Sequence, residues 1–320
     1  MSESTYDYKY YKIYNEIDDI KVVHDTFFNL LKKMFMSPTT YYHIRYVKYR
    51  GIFLTFFRLF LIIVFAKISN TKIIWTCHNI YEHNIPYKNI NKIIIKILST
   101  ISYKIVVFHK DLKSFLPKSS RNKIEIANFG DFSNYFNELN EINKDFRTEY
   151  EQWKKTEKIQ NLDLIYISAS TKNKLDEIID KVKETDLKTL IIAPKIEINP
   201  NPNKYKNIFF FNSFVKKEVT EILKENNRAI GIVAHNNISV PTSIYMFASF
   251  KIPIIGLDFK PVNSIINENN IGLILKDDNL IDLVRTISAN YQLFQSNLTS
   301  FLNENSWEKS INVHKKIFEI

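Results

Sequence analysis

His78 and Asn79 come directly after an apolar run. The segment IIWTCHNIYEHN, running from Ile73 to Asn84, changes from Ile-Ile-Trp to a polar cluster that includes His78, Asn79, Glu82 and His83. Near pH 7 a neutral imidazole can accept a proton from a hydroxyl, and a nearby carboxylate or second imidazole can do the same work. His78 is therefore the first candidate for catalytic or orienting chemistry, with Glu82 and His83 as substitutes a few residues on. A histidine held by loop hydrogen bonds is the structural alternative. Cys77, the one cysteine of the chain, excludes an internal disulfide and fits a small buried apolar residue in a reducing compartment.

A second set of residues could hold an anion. Thr242 and Ser243 open the helical pattern of SVPTSIYMFAS, where hydroxyls cap free backbone N–H groups and the helix dipole favours a diphosphate. Ser170, Thr171, Lys172 and Lys174 lie in the loop SASTKNK after an apolar run, and Lys260 lies in the turn DFKPVNS ahead of another helix. Lysines so placed offset the charge of a departing diphosphate. Solvated lysines and a cap without a ligand are the plain alternatives. The sequence holds no Walker-type glycine-rich loop, no HExxH, no Asp-x-Asp pair and no Cys/His metal set. P-loop hydrolysis and zinc chemistry are thereby disfavoured, and no metal ligand or cofactor is assigned.

All of these residues need strands that end where they begin. Short apolar runs alternate with amphipathic runs of helical length, the pattern of β-α-β units and parallel sheets. In the first half the expected strands are YYHIRYV, KIIWTC, YKIVVFH and KIEIAN, with helices over 51–68, 88–102 and 110–115. No strand is recognisable before residue 40. A polar stretch over 137–161 has a helical pattern and reads as a connection. The second half resumes with LDLIYISAS, KTLIIAP, NIFFFN, AIGIVAH, IPIIGLD and NIGLIL as strands separated by helices, and closes with two helices. Two α/β halves so joined make a cleft, and ligands bind outside the carboxyl ends of strands in such sheets.

The formal net charge of +10 is uneven. Residues 1–160 carry 25 Lys+Arg against 16 Asp+Glu, whereas 161–320 carry 19 against 18. Between Arg45 and Lys123 fifteen basic residues face only Glu82 and Asp111. Such asymmetry points to an anionic partner, either a membrane surface or nucleic acid, or to a merely solvated face. No recognised nucleic-acid-binding motif occurs, which favours the membrane surface. The apolar segment IFLTFFRLFLIIVFA contains Arg58 and falls short of the ~20 residues that a spanning helix needs, so it reads as a buried or membrane-facing helix. The first residues lack an apolar signal segment, and a cytoplasmic protein, peripheral on the inner face of the membrane, is expected.

Several segments resemble bacterial glycosyltransferases of the two-lobed GT-B fold. IIWTCHNIYEHN resembles their WTxHNxxPHE segment, ANFGDFSNYF resembles the PNGxDxxxF segment that ends their first lobe, and SVPTSIYMFASFKIPIIGLDFKPVNSIINENNIGLIL resembles their donor-binding lobe. The closing SWEKSINVHKKIFEI is similar to their final helix. The resemblance implies an α/β protein with two Rossmann-like parallel-sheet domains facing each other across a cleft. Its expected parts are an acceptor-side domain over 1–136, a charged linker helix over 137–161, a nucleotide-sugar-binding domain over 162–303 and a helix over 304–320 crossing back. It also implies metal-independent transfer of a sugar from a UDP- or GDP-type donor to a glycan or lipid-linked acceptor, as in capsule or lipopolysaccharide synthesis. On this likeness Asn79, Asn128 and Asp131 join the acceptor side, and the donor diphosphate falls to Ser170, Thr171, Lys172, Lys174, Thr242, Ser243 and Lys260. Retaining members carry a Glu-x7-Glu pair, and here those positions are Ile238 and Met246. A non-catalytic protein of the same fold that binds a partner or glycan, and a nucleotide-sugar epimerase or hydrolase, are the alternatives.

Overall fold

The computed structural model describes residues 8–17, 23, 25–36, 41–47, 49–81, 85, 87–134, 144–168, 175–193, 205–211, 217–235, 237–276 and 279–319. The chain divides into two compact units. One comprises Met1–Phe129, Asn237–Val240 and Ser306–Ile320, and the other Gly130–Asn236 and Pro241–Asn305.

The first unit is built on four parallel strands, β1 (Tyr41–Ile44), β2 (Lys72–Thr76), β3 (Lys104–Val107) and β4 (Ile124–Ile126), which lie side by side in chain order. Ile105, Val106 and Val107 are all buried, as expected of a parallel strand covered on both faces. Helices α3 (Ile52–Ile68) and α4 (Lys88–Ile101) make the crossovers. The apolar stripe Ile94, Ile95 and Leu98 of α4 is buried, in keeping with helical spacing. Two helices precede the sheet, α1 (Tyr8–Asn15) and α2 (Phe27–Met36). The stripe of α1 is half tyrosine, Tyr10, Ile13, Tyr14 and then Ile17 being buried, whereas α2 buries Phe27, Leu30, Leu31 and Met34 at ordinary helical spacing.

The second unit holds six parallel strands: β5 (Leu164–Ile167), β6 (Thr189–Ile192), β7 (Ile208–Phe211), β8 (Ile230–Val233), β9 (Ile254–Leu257) and β10 (Gly272–Leu275). Their order across the sheet is β10-β9-β8-β5-β6-β7. The chain thus starts in the middle, winds to one edge, and restarts beside β5 with β8. This is the doubly wound Rossmann order, with its switch point between β5 and β8. Leu164, Tyr166, Ile191, Ile232 and Ile255 form the centre of the core, with α6 (Leu175–Val182), α7 (Lys217–Glu225), α8 (Thr242–Ser249) and α9 (Val262–Asn269) around the sheet.

The polar stretch read as a connection contributes helix α5 (Lys144–Thr156) to this second unit. Tyr150 and Trp153 give it an aromatic stripe that packs on Phe209 of β7, with ring centroids 5.9 and 5.3 Å away. Arg147 adds ion pairs to Glu221 and Glu225 of α7. The chain closes with three helices rather than two, α10 (Leu280–Ala289), α11 (Tyr291–Glu304) and α12 (Trp307–Phe318), because Asn290 leaves helical geometry between the first pair. The last of them belongs to the first unit, where Lys72 bonds Glu319 at 2.8 Å and Tyr41 donates to the Phe318 carbonyl at 3.0 Å.

One glycine sets the spacing at the β9/β10 edge. A Cβ on Gly272 would come 1.8 Å from the carbonyl oxygen of Ile254 on the paired strand, a backbone atom that no side-chain rotation can move aside. Gly272→Ala is therefore expected to cost about 3 kcal/mol or more, read as a lowered urea midpoint of unfolding.

Candidate active site

Strand β2 ends at Thr76, and the Cys77 N–H continues the ladder to the Val106 carbonyl at 2.9 Å. His78 follows, and its side chain is buried, 8 % exposed, instead of opening onto a crevice. Its ring stacks on Tyr46 at 4.5 Å and 8°, lies 5.0 Å from Phe108, and meets Tyr10 edge-on at 5.7 Å. Nε2 of His78 shares a 2.6 Å hydrogen bond with the Tyr10 hydroxyl. One turn further along α1, the Tyr14 hydroxyl bonds Nδ1 of His43 in β1, and His43 Nε2 bonds Oγ1 of Thr76 at 2.7 Å. Helix α1 thus covers the carboxyl ends of β1 and β2. The strand-end rule that placed His78 beside a crevice applies where strand order reverses, and the strands of this sheet run in chain order.

Cations frame this cover. The buried Arg45 guanidinium stands 4.6 Å over the Tyr10 ring, and Lys9 stands 5.1 Å over Phe129, which stacks on Phe108 at 4.1 Å. Burial depresses His78 well below the ordinary imidazole pKa, with Lys9, His43 and Arg45 pushing the same way. His43 is depressed by burial first, with the neighbouring His314 and Arg45 pushing the same way. His314 on α12 is lowered by burial to about 4. At neutral pH these imidazoles carry no charge. A base so weakened, and already bonded to a phenol, is better suited to orienting a hydroxyl than to removing its proton.

The neighbouring candidates separate by place. Asn79 pairs with Ser239 in an isolated antiparallel bridge, the Ile80 N–H donates to the Ile238 carbonyl at 3.0 Å, and the Asn237 amide donates to the Tyr81 carbonyl at 3.2 Å. Asn79 is therefore tied to the segment Asn237–Val240. Asn128 is half-buried just beyond β4. Asp131 belongs to the second unit, where its carboxylate accepts from the N–H and hydroxyl of Ser133 at 2.7 and 2.8 Å, a local turn. Glu82 and His83 lie outside the described residues, as do Ser170, Thr171, Lys172 and Lys174.

In the second unit the residues next to the switch point are Ser168, at the carboxyl end of β5, and His235, at the carboxyl end of β8. Sequence reasoning passed over both, because only the strand order singles them out. Helix α8 begins just beyond. Its N-cap is Pro241, with no side-chain hydrogen bond, so Thr242 and Ser243 occupy the first helical turn instead of capping it. Proline has no side-chain acceptor to offer; the Ile244 N–H donates to the Pro241 carbonyl at 3.3 Å, and among the described residues the Thr242 and Ser243 N–H groups stay available to another acceptor. Lys260 is exposed immediately before α9, where Asp258 instead accepts from the Asn263 amide at 2.7 Å.

The buried imidazoles make a testable pH dependence. Each has a folded pKa below its unfolded value of about 6.5, so the unfolded chain binds more protons and stability falls as pH drops below that value. Each such group contributes a slope of up to about 1.4 kcal/mol per pH unit. Thermal unfolding from about pH 7.5 to about pH 4.5, either side of the unfolded value of about 6.5, is expected to show the midpoint falling with acid. His314→Leu is expected to remove roughly one proton from that slope.

No protein family matches the sequence, and no curated protein matches it either. Solved structures do match in fold. HepE of Anabaena, in complex with UDP-glucose, aligns with a TM-score of 0.64 at 9% identity, over 93% of this chain and 84% of its own. A glycosyltransferase of Rickettsia africae aligns with a TM-score of 0.63 at 17% identity, over 96% and 86%. WaaG, a glycosyltransferase involved in lipopolysaccharide biosynthesis, aligns with a TM-score of 0.53 at 10% identity, over 85% and 84%. With its two parallel-sheet α/β units, this chain has the GT-B fold of those glycosyltransferases.

Proposed function

We propose that the protein transfers a sugar from a nucleotide diphosphate sugar, of UDP or GDP type, to a hydroxyl of a glycan or lipid-linked acceptor. The observation that carries this reading is the start of α8. In a Rossmann-ordered sheet it follows the switch-point strand β8, and among the described residues no side chain caps it. Uncapped N–H groups and the helix dipole there stabilise a diphosphate both bound and departing. Thr242 and Ser243 add hydroxyls in the same turn, and Lys260 adds a positive charge ahead of α9. Ser170, Thr171, Lys172 and Lys174 follow β5 in sequence and would complete the anion site. These groups supply the charge compensation without a metal ion. The fold shared with a UDP-glucose complex supports the donor class.

On the acceptor side His78 is assigned an orienting role. To act as a base it would have to exchange the Tyr10 hydroxyl for one of the acceptor. Asn79 and Asn128 are proposed to stand beside it, with Glu82 and His83 as further candidates. Surface polysaccharide synthesis on the inner face of the membrane is the setting that fits a basic first half. A second reading, a protein of the same fold that binds a partner or glycan without turnover, is favoured by Ile238 and Met246. Met246 is buried in α8, and neither residue offers a carboxylate for a donor ribose.

A thermal-shift screen against UDP-, GDP-, CMP- and dTDP-sugars, with and without Mg²⁺, separates these outcomes from inactivity. The donor at 100 times its dissociation constant adds about 2.7 kcal/mol. Stabilisation by one nucleotide class without Mg²⁺ supports the reading, and silence to all of them overturns it. With an acceptor in hand, Lys260→Ala is expected to lower kcat about tenfold to a hundredfold. Tyr10→Phe tests His78: if the imidazole acts as a base, freeing Nε2 preserves turnover while His78→Ala lowers it at least about a hundredfold.

A further inference from the structure

Helix α3 has two apolar stripes where a surface helix needs one. Thr55, Leu59, Ile62 and Ala66 turn inward and are buried. On the opposite side Phe53, Phe57 and Phe60 are 83 %, 43 % and 59 % exposed. Arg58, the one charge within the stretch 52–66, stands 4.2 Å over the ring of Phe27 on α2, so it leaves the outer stripe uncharged. Beside α3, Phe28 and Phe35 of α2 are 69 % and 65 % exposed, and Phe35 meets Phe65 of α3 at 6.4 Å. The outward face of this helix pair is therefore aromatic.

Its charge surroundings have one sign. Residues 26–81 carry eight Lys and Arg and no Asp or Glu. Lys32 and Lys67, on α2 and α3, are exposed. A second copy of the chain on this face would bring like charges together, which disfavours self-association. A protein partner would ordinarily form about one hydrogen bond per 100–200 Å² of interface, and Phe53, Phe57 and Phe60 have no group with which to make one. Lipid tails require none, and anionic headgroups complement the basic rim. At 17 residues α3 measures about 25 Å, short of the ~30 Å hydrocarbon core, so it would lie in the interface and not cross it. Among the described residues no helix is long and apolar enough to cross a membrane.

We propose that the outer face of α2 and α3 docks into the headgroup layer of an anionic lipid bilayer, with Phe53, Phe57 and Phe60 inserted and the basic residues at the phosphates. This gives the membrane setting of the proposed function a defined surface, and it stands whether or not the protein transfers sugar.

The test is co-sedimentation of the full chain with vesicles of phosphatidylcholine, alone or mixed with phosphatidylglycerol, at about 0.1 M and about 0.5 M salt. The wild type is expected to bind the mixed vesicles, and more weakly at the higher salt. The triple variant Phe53→Ser, Phe57→Ser, Phe60→Ser is expected to lose at least about tenfold in partitioning, with an unchanged melting temperature because these side chains are exposed. A double variant, Lys32→Glu with Lys67→Glu, keeps every apolar contact and is expected to weaken binding to the mixed vesicles. The proposal is overturned if the wild type stays in the supernatant with mixed vesicles at low salt, if the triple variant binds as well as the wild type, or if size-exclusion light scattering shows a dimer that the triple variant abolishes. Vesicle binding without any response to nucleotide sugars would leave this surface standing and remove the transferase reading. The reverse pattern would do the opposite.

Discussion

Two tyrosine–histidine hydrogen bonds hold the first unit in its described form. Buried polar atoms must find partners or cost the fold their desolvation, and the carboxyl ends of β1 and β2 bring His43 and His78 into the interior. Tyr10 and Tyr14, one helical turn apart on α1, meet the two imidazoles, and Thr76 satisfies the other nitrogen of His43. Hydroxyls can donate to or accept from either ring nitrogen, and it is burial that keeps the imidazoles uncharged. Packing, protonation state and the position of α1 are therefore one coupled choice. His314 extends it to α12, since its ring lies edge-on to Tyr14 and its Nε2 is buried without a hydrogen-bond partner among the described residues.

The second unit rests on a different constraint. Its strand order fixes where the sheet can offer a ligand the free ends of two strands at once, and that point falls between β5 and β8. Met246, in α8, brings no side-chain carboxylate to that role. What α8 offers there instead is backbone polarity, because Pro241 gives no side-chain cap and, among the described residues, leaves the Thr242 and Ser243 N–H groups open. A dipole built from the backbone is insensitive to pH and to side-chain substitution, unlike the histidine cluster of the first unit.

Much of the fold was legible because its strands are buried on both faces and therefore read as unbroken Ile, Val and Leu runs. KIIWT, KIVV, TLII and IIGL all fall inside the expected segments. The position of His78 at a strand end was legible for the same reason. What covers it was not, since α1 uses Tyr10 and Tyr14 as core residues, and tyrosine gives no apolar signal. Helix α5 was legible as a helix, but its packing on the second unit was hidden by its charge, with only Tyr150 and Trp153 marking the inward stripe. Ser168 and His235 could not be singled out without the strand order, which is a long-range property that no local pattern encodes.

Helix α3 illustrates the converse, a sequence signal that packing does not use up. An apolar helix can be accounted for by a core, and its inner stripe from Thr55 to Ala66 is so accounted for. The outer stripe is not, and burying it on this unit would require a further layer of structure that the described residues do not supply. Arg58 shows how one charge fits into such a helix: it turns sideways onto Phe27, where ring electrons replace part of its hydration, so that neither stripe has to accept it. The guanidinium divides the helix into a side that belongs to the fold and a side, bearing Phe53, Phe57 and Phe60, that would suit the proposed bilayer, an environment other than water. The absence of any acidic residue from 26 to 81 states the sign of the charge that environment would have to carry.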